Sequence, residues 1–289
     1  ADQALKSVLS YGVGNTHPRF FGWVHGAGTP TGLVAETIAT TLNANCGGRN
    51  TGALKVEQAV IDWALKLIGM PETASGLITT GTSMATIVAL KAARDRASDF
   101  SARREGVAAG SKLVGYTSAG AHSCLDRAFD MLGLGSEALR KVPVDDNGRM
   151  RSDALKTAID QDRANGFTPF VICATAGTVN RGAIDKLQSL ADIADVQELW
   201  FHVDAAFAAA LALSEDLKPR LEGISRASSI AFDFHKWMQV NYDAGCVLIR
   251  DEEAHRRAFS DRPDYLSEMD RGLASGMPWP VDYGPALSR

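Results

Sequence analysis

Short apolar runs rich in β-branched residues alternate along the chain with longer segments whose apolar residues recur every three to four positions. The short runs predict strands, and the longer segments predict amphipathic helices. This alternation is typical of a parallel sheet covered by helices on both faces, so the pattern predicts an α/β fold. The predicted strands are Gly76–Thr79, Lys112–Tyr116, Phe170–Ala174, Leu199–Asp204, Ser228–Phe232 and Gly245–Ile249.

Four segments have a clear helical period. The first runs from Leu54 to Ile68 and is followed by Gly69 and Pro71, residues that end helices. Its apolar stripe, which we expect to face the core, consists of Val56, Val60, Trp63 and Leu67. The other predicted helices are Thr86–Arg96, Ser152–Asn165, with Ser152 and Asp153 as its N-cap, and Asp185–Val196.

The first 29 residues differ from the rest because they are rich in glycine, proline and aromatic residues. Such a composition predicts an extended lead-in. We therefore divide the chain into residues 1–29, the lead-in, and residues 30–289, one large α/β domain.

Composition narrows the class of protein. The 289 residues are 45% hydrophobic and 22% charged, with a net charge of -4 and no long basic run. These values suit a globular protein with a full core and give no support to nucleic-acid binding. No apolar stretch is long enough for a membrane span, and the four cysteines form no CxxC pair. We expect a cytoplasmic protein with reduced, buried thiols and no structural metal.

Ligands of parallel α/β folds bind at the carboxyl ends of the strands, so polar residues directly after predicted strands are the candidates for chemistry. Thr80-Gly81-Thr82-Ser83 follows the first strand and leads into a helix. Its hydroxyls and free N–H groups suit a phosphate, although a simple helix cap has the same pattern. Ala121-His122-Ser123 places an imidazole at the start of another helix, where a capping role is the alternative.

Two further clusters carry opposite charges. His202 and Asp204 share one face at the end of an apolar strand, and a buried carboxylate there needs a cationic partner such as a protonated pyridine nitrogen. The alternative is a loop-capping aspartate. Lys236 follows another strand in Asp233-Phe234-His235-Lys236-Trp237, and apolar neighbours favour the neutral amine that attacks an aldehyde. The alternative is an exposed, solvated lysine. Together the four clusters fit pyridoxal 5'-phosphate.

These residues carry a resemblance to the group II pyridoxal-phosphate-dependent decarboxylases, the family of aromatic-L-amino-acid and glutamate decarboxylases. The matching motifs arrive in order along nearly the whole chain: His17-Pro18-Arg19-Phe20, Gly81-Thr82-Ser83, Ala121-His122-Ser123, Ala174-Thr175-Ala176-Gly177-Thr178, His202-Val203-Asp204-Ala205-Ala206 and His235-Lys236-Trp237. The resemblance implies a fold type I large domain with a mostly parallel seven-stranded sheet flanked by helices.

The resemblance also implies roles for individual residues. Lys236 holds the cofactor as a Schiff base, Asp204 pairs with the pyridine nitrogen, and His122 stacks on the ring. Thr175 and Ala206 lie against the cofactor. The residues implied near the phosphate are Thr82, Ser83, Asp233 and His235. Asp233-Phe234 departs from the family, because many animal members have Asn-Pro before the His-Lys pair.

A loop containing Tyr265 resembles the mobile loop whose tyrosine is the general acid of this family. Relatives with phenylalanine there tend to form an aldehyde, so Tyr265 favours decarboxylation to an amine. Phe20 and His25 are candidates for the substrate pocket, and the aromatic lead-in favours an aromatic amino acid. An acidic amino acid, or the activity of an aromatic aldehyde synthase, is the alternative.

The family resemblance implies a homodimer with shared active sites and a small C-terminal domain that this chain lacks. That domain could belong to a separate chain, could have been removed, or could be absent. Two functions of other classes compete with the decarboxylase. His202, Asp204 and either His122 or His235 could form the metal site of a hydrolase, or the chain could be a catalytically incomplete partner subunit. Gly26-Ala27-Gly28 follows no strand, so we set aside a dinucleotide site.

Overall fold

The computed structural model describes residues 2–9, 11–46, 51–107, 111–260 and 279–285. Strands and helices alternate along most of this length. The helices are α1 (Asp2–Leu9), α2 (Pro30–Leu42), α3 (Gly52–Ile68), α4 (Thr82–Ala97), α5 (Ala102–Glu105), α6 (Cys124–Met131), α7 (Ser152–Ala164), α8 (Leu187–Gln197) and α9 (Glu252–Phe259). The strands are β1 (Ser75–Thr79), β2 (Leu113–Ser118), β3 (Leu139–Val142), β4 (Thr168–Thr175), β5 (Trp200–Asp204), β6 (Ser229–Asp233) and β7 (Gly245–Ile249).

The strands form one seven-stranded sheet in the order β1-β7-β6-β5-β4-β2-β3. Neighbours from β6 to β3 are parallel, and β7 runs antiparallel to both β1 and β6. The α/β class and the mostly parallel seven-stranded sheet are therefore confirmed. All five residues of β5, β6 and β7 are buried, which explains why most of their residues are apolar.

One strand has no counterpart among the predicted ones. β3 lies at the edge of the sheet beside β2, and two of its four residues are Arg140 and Lys141. Charged residues are common on edge strands because one side of the strand faces solvent. The short, half-charged sequence therefore carries too little apolar pattern to be recognised alone.

Helices cover both faces of the sheet. On one face, α3, α7 and α8 contribute Leu65, Ile159 and Leu190 to a core that also contains alternate residues of the central strands. On the other face, α4 packs across β5, β6 and β7, and α6 and α9 pack beside it. The helix predicted from Thr86 begins earlier, at Thr82, so its first turn lies directly against the end of β1.

Helix α3 confirms the predicted element but corrects its orientation. The buried residues are Leu54, Ile61, Ala64, Leu65 and Ile68. Val56 and Trp63 of the predicted core stripe are instead 66% and 45% exposed. Both faces of this helix are apolar, so the sequence pattern alone does not identify the face that packs on the sheet. The expected stop is present, because Gly69 caps the helix at φ 80° with its N–H bonded to Leu65 O and Lys66 O.

Three smaller expectations also meet the structure. Helix α7 begins at Ser152, but its N-cap residue is Arg151 and no side chain caps it, which corrects the predicted Ser152–Asp153 cap. Cys46, Cys124, Cys173 and Cys246 are free and buried, as expected. Among the helices within the described residues, none combines the length and apolar character that a membrane crossing requires.

Candidate active site

The pairing of the strands brings the candidate residues to one edge of the sheet. Thr175 at the end of β4 pairs with Asp204 at the end of β5. Asp233, the last residue of β6, pairs with Gly245, which also pairs with Thr79 at the end of β1. Because β7 is antiparallel to both neighbours, β1 and β6 point the same way. The turn after β1 therefore lies beside the carboxyl ends of the parallel strands.

The turn between β1 and α4 depends on a close approach of two glycines. A Cβ atom on Gly245 would lie 2.4 Å from the Cα of Gly81, closer than atoms can pack. Thr82, which follows Gly81, is buried, whereas Ser83 is exposed at the first turn of α4. Gly245 therefore allows the turn to sit at the sheet edge with Thr82 pointing inward and the helix N-terminus behind it.

Asp233 connects this turn to the candidate Schiff-base lysine. Its Oδ1 accepts a 2.6 Å hydrogen bond from the Thr82 N–H, and its Oδ2 lies 2.9 Å from Lys236 Nζ. The Lys236 side chain is 22% exposed. The expectation of a lysine among apolar neighbours is therefore corrected, since the Asp233 carboxyl group contacts its Nζ. The adjacent Trp237 packs on Phe207, with ring centroids 4.7 Å apart.

Asp204 is a buried carboxylate with two protein donors. Its Oδ1 accepts a 3.1 Å bond from the Ala206 N–H, and its Oδ2 lies 3.8 Å from Cys124 Sγ. Burial raises the pKa of Asp204, while the Ala206 amide and the nearby Lys236 and His122 oppose the shift. A cation placed beside this carboxylate would favour its ionised form further.

His122 and Thr175 complete the inner wall. His122 Nδ1 accepts a 3.2 Å bond from the Cys124 N–H, so a neutral imidazole carries its proton on Nε2. The backbone of Thr175 is held by Asp185, whose Oδ2 accepts the Thr175 N–H at 2.8 Å. Asp185 also accepts the Met150 N–H at 2.6 Å. Sequence analysis did not identify Asp185, which fixes the end of β4 from behind the site.

His235 faces away from the inner wall. Its Nδ1 accepts the Ala244 N–H at 2.9 Å, and its Nε2 lies 3.5 Å from Asp233 Oδ2. Burial lowers the pKa of His235, and the Asp233 carboxylate opposes this shift. Tyr242 stacks on the His235 ring at 3.9 Å, and His25 contacts the edge of Tyr242 at 4.8 Å.

A cavity of about 250 Å³ lies among these residues. Of the residues predicted from sequence, the structure brings six to its wall: Thr82, His122, Thr175, Asp204, Ala206 and Lys236. The described wall does not include Ser83, Asp233, His235, Phe20 or His25. The lead-in contributes Trp23 and Val24 instead, and Cys124, Gly177, Thr178, Val179 and Phe207 complete the wall. Cys124 directly follows the Ala121-His122-Ser123 motif, so that motif contained the signal for it.

Tyr265 lies outside the described residues, and its role as general acid stays a prediction.

The polar groups of the cavity fit pyridoxal phosphate. The hydroxyls of Thr82 and Thr175 are buried and have no hydrogen-bond partner within the described residues. Native proteins rarely leave such groups unpaired, so two orphan hydroxyls in one wall indicate a missing polar ligand. The same wall presents an amine on Lys236 and a carboxylate on Asp204, the groups that an aldehyde and a protonated pyridine require.

The alternative metal site does not form. His202 lies inside the sheet, where its Nδ1 is 2.8 Å from Ser229 Oγ, and it does not line the cavity. The described part of the chain contains no group of three or more histidine, cysteine or acidic residues arranged to hold a metal ion. Asp204 therefore faces the cavity without His202.

Fold and cavity together are those of a pyridoxal-phosphate-binding domain of fold type I. The chain belongs to the pyridoxal-dependent decarboxylase family, because the model of the pyridoxal-dependent decarboxylase conserved domain matches residues 2–283. The family and cofactor expected from the motifs are thereby confirmed. The chain is 34% identical over 259 residues to an aromatic-L-amino-acid decarboxylase of Bacillus atrophaeus, covering 89% of this chain and 52% of the relative.

Two further relatives define the breadth of the family. The chain is 30% identical over 273 residues to the acidic amino acid decarboxylase GADL1 of Xenopus tropicalis, covering 93% of this chain and 53% of that protein. The crystal structure of mouse CSAD superimposes with a TM-score of 0.88 at 28% identity, covering 100% of this chain and 60% of that one. The chain therefore spans between half and two thirds of the length of these relatives, which include enzymes named for different substrates.

Proposed function

We propose that this chain is the catalytic large domain of an enzyme that decarboxylates an L-amino acid to an amine and carbon dioxide, with an aromatic substrate favoured. The observation that carries the proposal is the shared cavity of Lys236, Asp204, His122 and Thr175. When bound, the cofactor supplies a conjugated ring that accepts the electrons left by the departing carbon dioxide.

Residues of this chain would hold the cofactor and orient it. Lys236 would provide the amine that holds the aldehyde carbon of the cofactor. The Asp204 carboxylate would hold a proton on the pyridine nitrogen, which keeps the ring electron-withdrawing. Thr82 and the N-terminus of α4 would hold the phosphate, with Ser83, Asp233 and His235 close by. His122 would stack on the cofactor ring, and its own ring is oriented by the hydrogen bond from the Cys124 N–H.

The remaining step is protonation of the substrate carbon. We assign the proton to Tyr265, as the sequence of its loop suggests, because a tyrosine at that point favours the amine over the aldehyde. An aromatic aldehyde synthase is the alternative that this residue argues against.

The aromatic preference rests on the composition of the cavity wall. Trp23, Val24, Val179 and Phe207 present apolar surface to the cavity. Lys236 and His122 are the basic side chains of the described wall, and no arginine lies among its residues. An acidic substrate needs a cation for its second carboxylate, whereas an aromatic side chain gains from apolar contact. Phe20 and His25, the original candidates, pack behind Trp23 and Tyr242.

We also propose that two copies of the chain form a homodimer with shared active sites. All of α2 lies outside the core, and its exposed apolar residues are Leu33, Val34, Ile38 and Leu42. Val56 and Trp63 are exposed apolar residues on α3. Apolar patches of this kind are typical of interaction surfaces. Residues 1–29 would reach the partner, and residues 30–289 would form the cofactor-binding domain.

For localisation we propose the cytoplasm, because all four cysteines of the chain are free and buried, as in a reducing compartment.

The test is to add pyridoxal phosphate to the purified protein, record the visible spectrum, reduce with borohydride and map the modified peptide. We expect a long-wavelength band and a label on Lys236. Lys236→Ala should lose both, whereas the control Lys218→Ala should keep them. Unreduced protein with bound cofactor would be screened separately with aromatic and acidic amino acids for release of carbon dioxide. A label elsewhere than Lys236, or greater release from glutamate than from aromatic substrates, would overturn the corresponding part of the proposal.

A further inference from the structure

Cys124 contacts both polar groups expected to touch the cofactor ring. It is the first residue of α6 and is 3% exposed, yet it forms part of the cavity wall. Its thiol lies 3.8 Å from Asp204 Oδ2, and its backbone N–H donates to His122 Nδ1 at 3.2 Å. Cys124 thereby contacts the Asp204 carboxylate through its side chain and the His122 imidazole through its backbone.

The two oxygens of Asp204 have one protein donor each. The Ala206 N–H binds Oδ1, so the thiol is the donor that fixes Oδ2. A buried carboxylate with donors on both oxygens is held against rotation and is stabilised in its ionised form. Burial and the Asp204 charge raise the pKa of Cys124 to about 12, so the sulfur keeps the proton that it donates.

We propose that Cys124 is a positioning residue for the cofactor, whose thiol orients Asp204 toward the pyridine nitrogen. The competing explanation is that Cys124 is a small buried side chain that only fills space. The two explanations differ in what serine does at this position, because a hydroxyl keeps the donor while alanine removes it.

The experiment measures the dissociation constant of pyridoxal phosphate by absorption titration of the wild-type protein and its variants. Cys124→Ala is expected to weaken binding about tenfold, the order expected for one hydrogen bond to an ionised group. Cys124→Ser is expected to restore binding to within about threefold of wild type. The bound-cofactor spectrum should shift in Cys124→Ala and return in Cys124→Ser. Cys46→Ala removes a buried thiol from a separate cluster and is the control.

A double-mutant cycle tests whether Cys124 acts through Asp204. In an Asp204→Asn background, Cys124→Ala should change the dissociation constant by less than about twofold, because the ionised acceptor is already gone. Equal weakening by Cys124→Ala and Cys124→Ser, or an undiminished effect in the Asp204→Asn background, would overturn the proposal. The role of Cys124 rests on the proposed function, which attachment of the cofactor to Lys236 in the wild-type protein tests separately. The proposal for Cys124 can therefore fail while the proposed function stands, and the two failures are distinguishable.

Discussion

Two fully buried histidines make the folded chain sensitive to acid. His202 lies in β5 and His255 in α9, and burial lowers the pKa of each to about 3. A group whose folded-state pKa is lowered resists protonation in the folded state but not in the unfolded state. For a histidine, stability is therefore fully present above the unfolded pKa of about 6.5 and is lost as the pH falls toward the folded pKa.

The magnitude follows from the position of the two pKa values. At pH 5.0, about 1.5 pH units below the unfolded pKa, each histidine lowers the free energy of unfolding by about 2 kcal/mol, because each pH unit contributes about 1.36 kcal/mol. The two together remove about 4 kcal/mol, a large part of the roughly 5–15 kcal/mol by which domains are stable. Both folded-state pKa values lie well below 5, so both histidines are neutral in the folded protein at pH 5.0. The size of this loss is therefore set by the unfolded-state pKa and the pH.

Urea unfolding at pH 7.5 and pH 5.0 measures the effect in wild type, His202→Gln, His255→Gln and the double variant. Glutamine suits position 255 because its amide can replace both histidine bonds, to the Tyr283 carbonyl and to Ser75 Oγ. We expect the double variant to lose about 4 kcal/mol less than wild type between the two pH values. Asp185 and Asp204, whose pKa values are raised by burial, act in the opposite direction in all four proteins and cancel in the comparison.

An equal loss of stability in wild type and the double variant would refute this reasoning. It would mean that the unfolded state protonates these histidines no more readily than the folded state does.

Three further predictions concern the site and its surroundings. Gly245→Ala should weaken pyridoxal-phosphate binding at least about tenfold in an absorption titration. The added methyl group would meet Gly81 at 2.4 Å and displace the turn between β1 and α4, which we propose holds the phosphate. Tyr265→Phe should shift the product from amine to aldehyde, as chromatography of the reaction mixture would show. Trp63→Lys should dissociate the proposed dimer in sedimentation velocity, because it places a charge in the exposed apolar face of α3.

Each of these predictions has a matched control. Gly12→Ala adds a methyl group with no atom within 4 Å and should leave cofactor binding unchanged. Tyr11→Phe changes an exposed tyrosine, and Val196→Lys adds a charge to an exposed site on α8. Unchanged cofactor affinity in Gly245→Ala, an unchanged amine yield in Tyr265→Phe, or a dimer that survives Trp63→Lys would each contradict the corresponding argument.

The sequence predicts much of the sheet because its central strands are buried on both sides. A strand such as β6, with every residue buried, has an apolar middle formed by Ile230, Ala231 and Phe232, and that run is visible without the structure. The edge strand β3 lacks this constraint, so Arg140 and Lys141 conceal it. The position of β7 between β1 and β6 is not visible either, because strand order depends on contacts between distant segments.

Some features of the site could likewise be predicted from sequence, and others could not. Lys236, Asp204 and Thr82 could be predicted because each lies at the end of a strand or within three residues after it, and parallel strands end at one edge. The ion pair between Lys236 and Asp233 was missed, since the argument from apolar neighbours considered residue types and not the direction of each side chain. Trp23 was missed as a wall residue because the lead-in reaches the cavity from the far end of the sequence.

The insertion of β7 between β1 and β6 has a consequence for the order in which the molecule is made. Ser75 of β1 pairs with Ile249 of β7, so β1 waits for a strand synthesised 174 positions later. Until β7 arrives, the backbone groups of β1 and β6 that face it have no partner, and Gly245 does not hold the Gly81 turn against the sheet edge. On a ribosome, we therefore expect the turn at Gly81 to reach its folded position only after β7 has emerged.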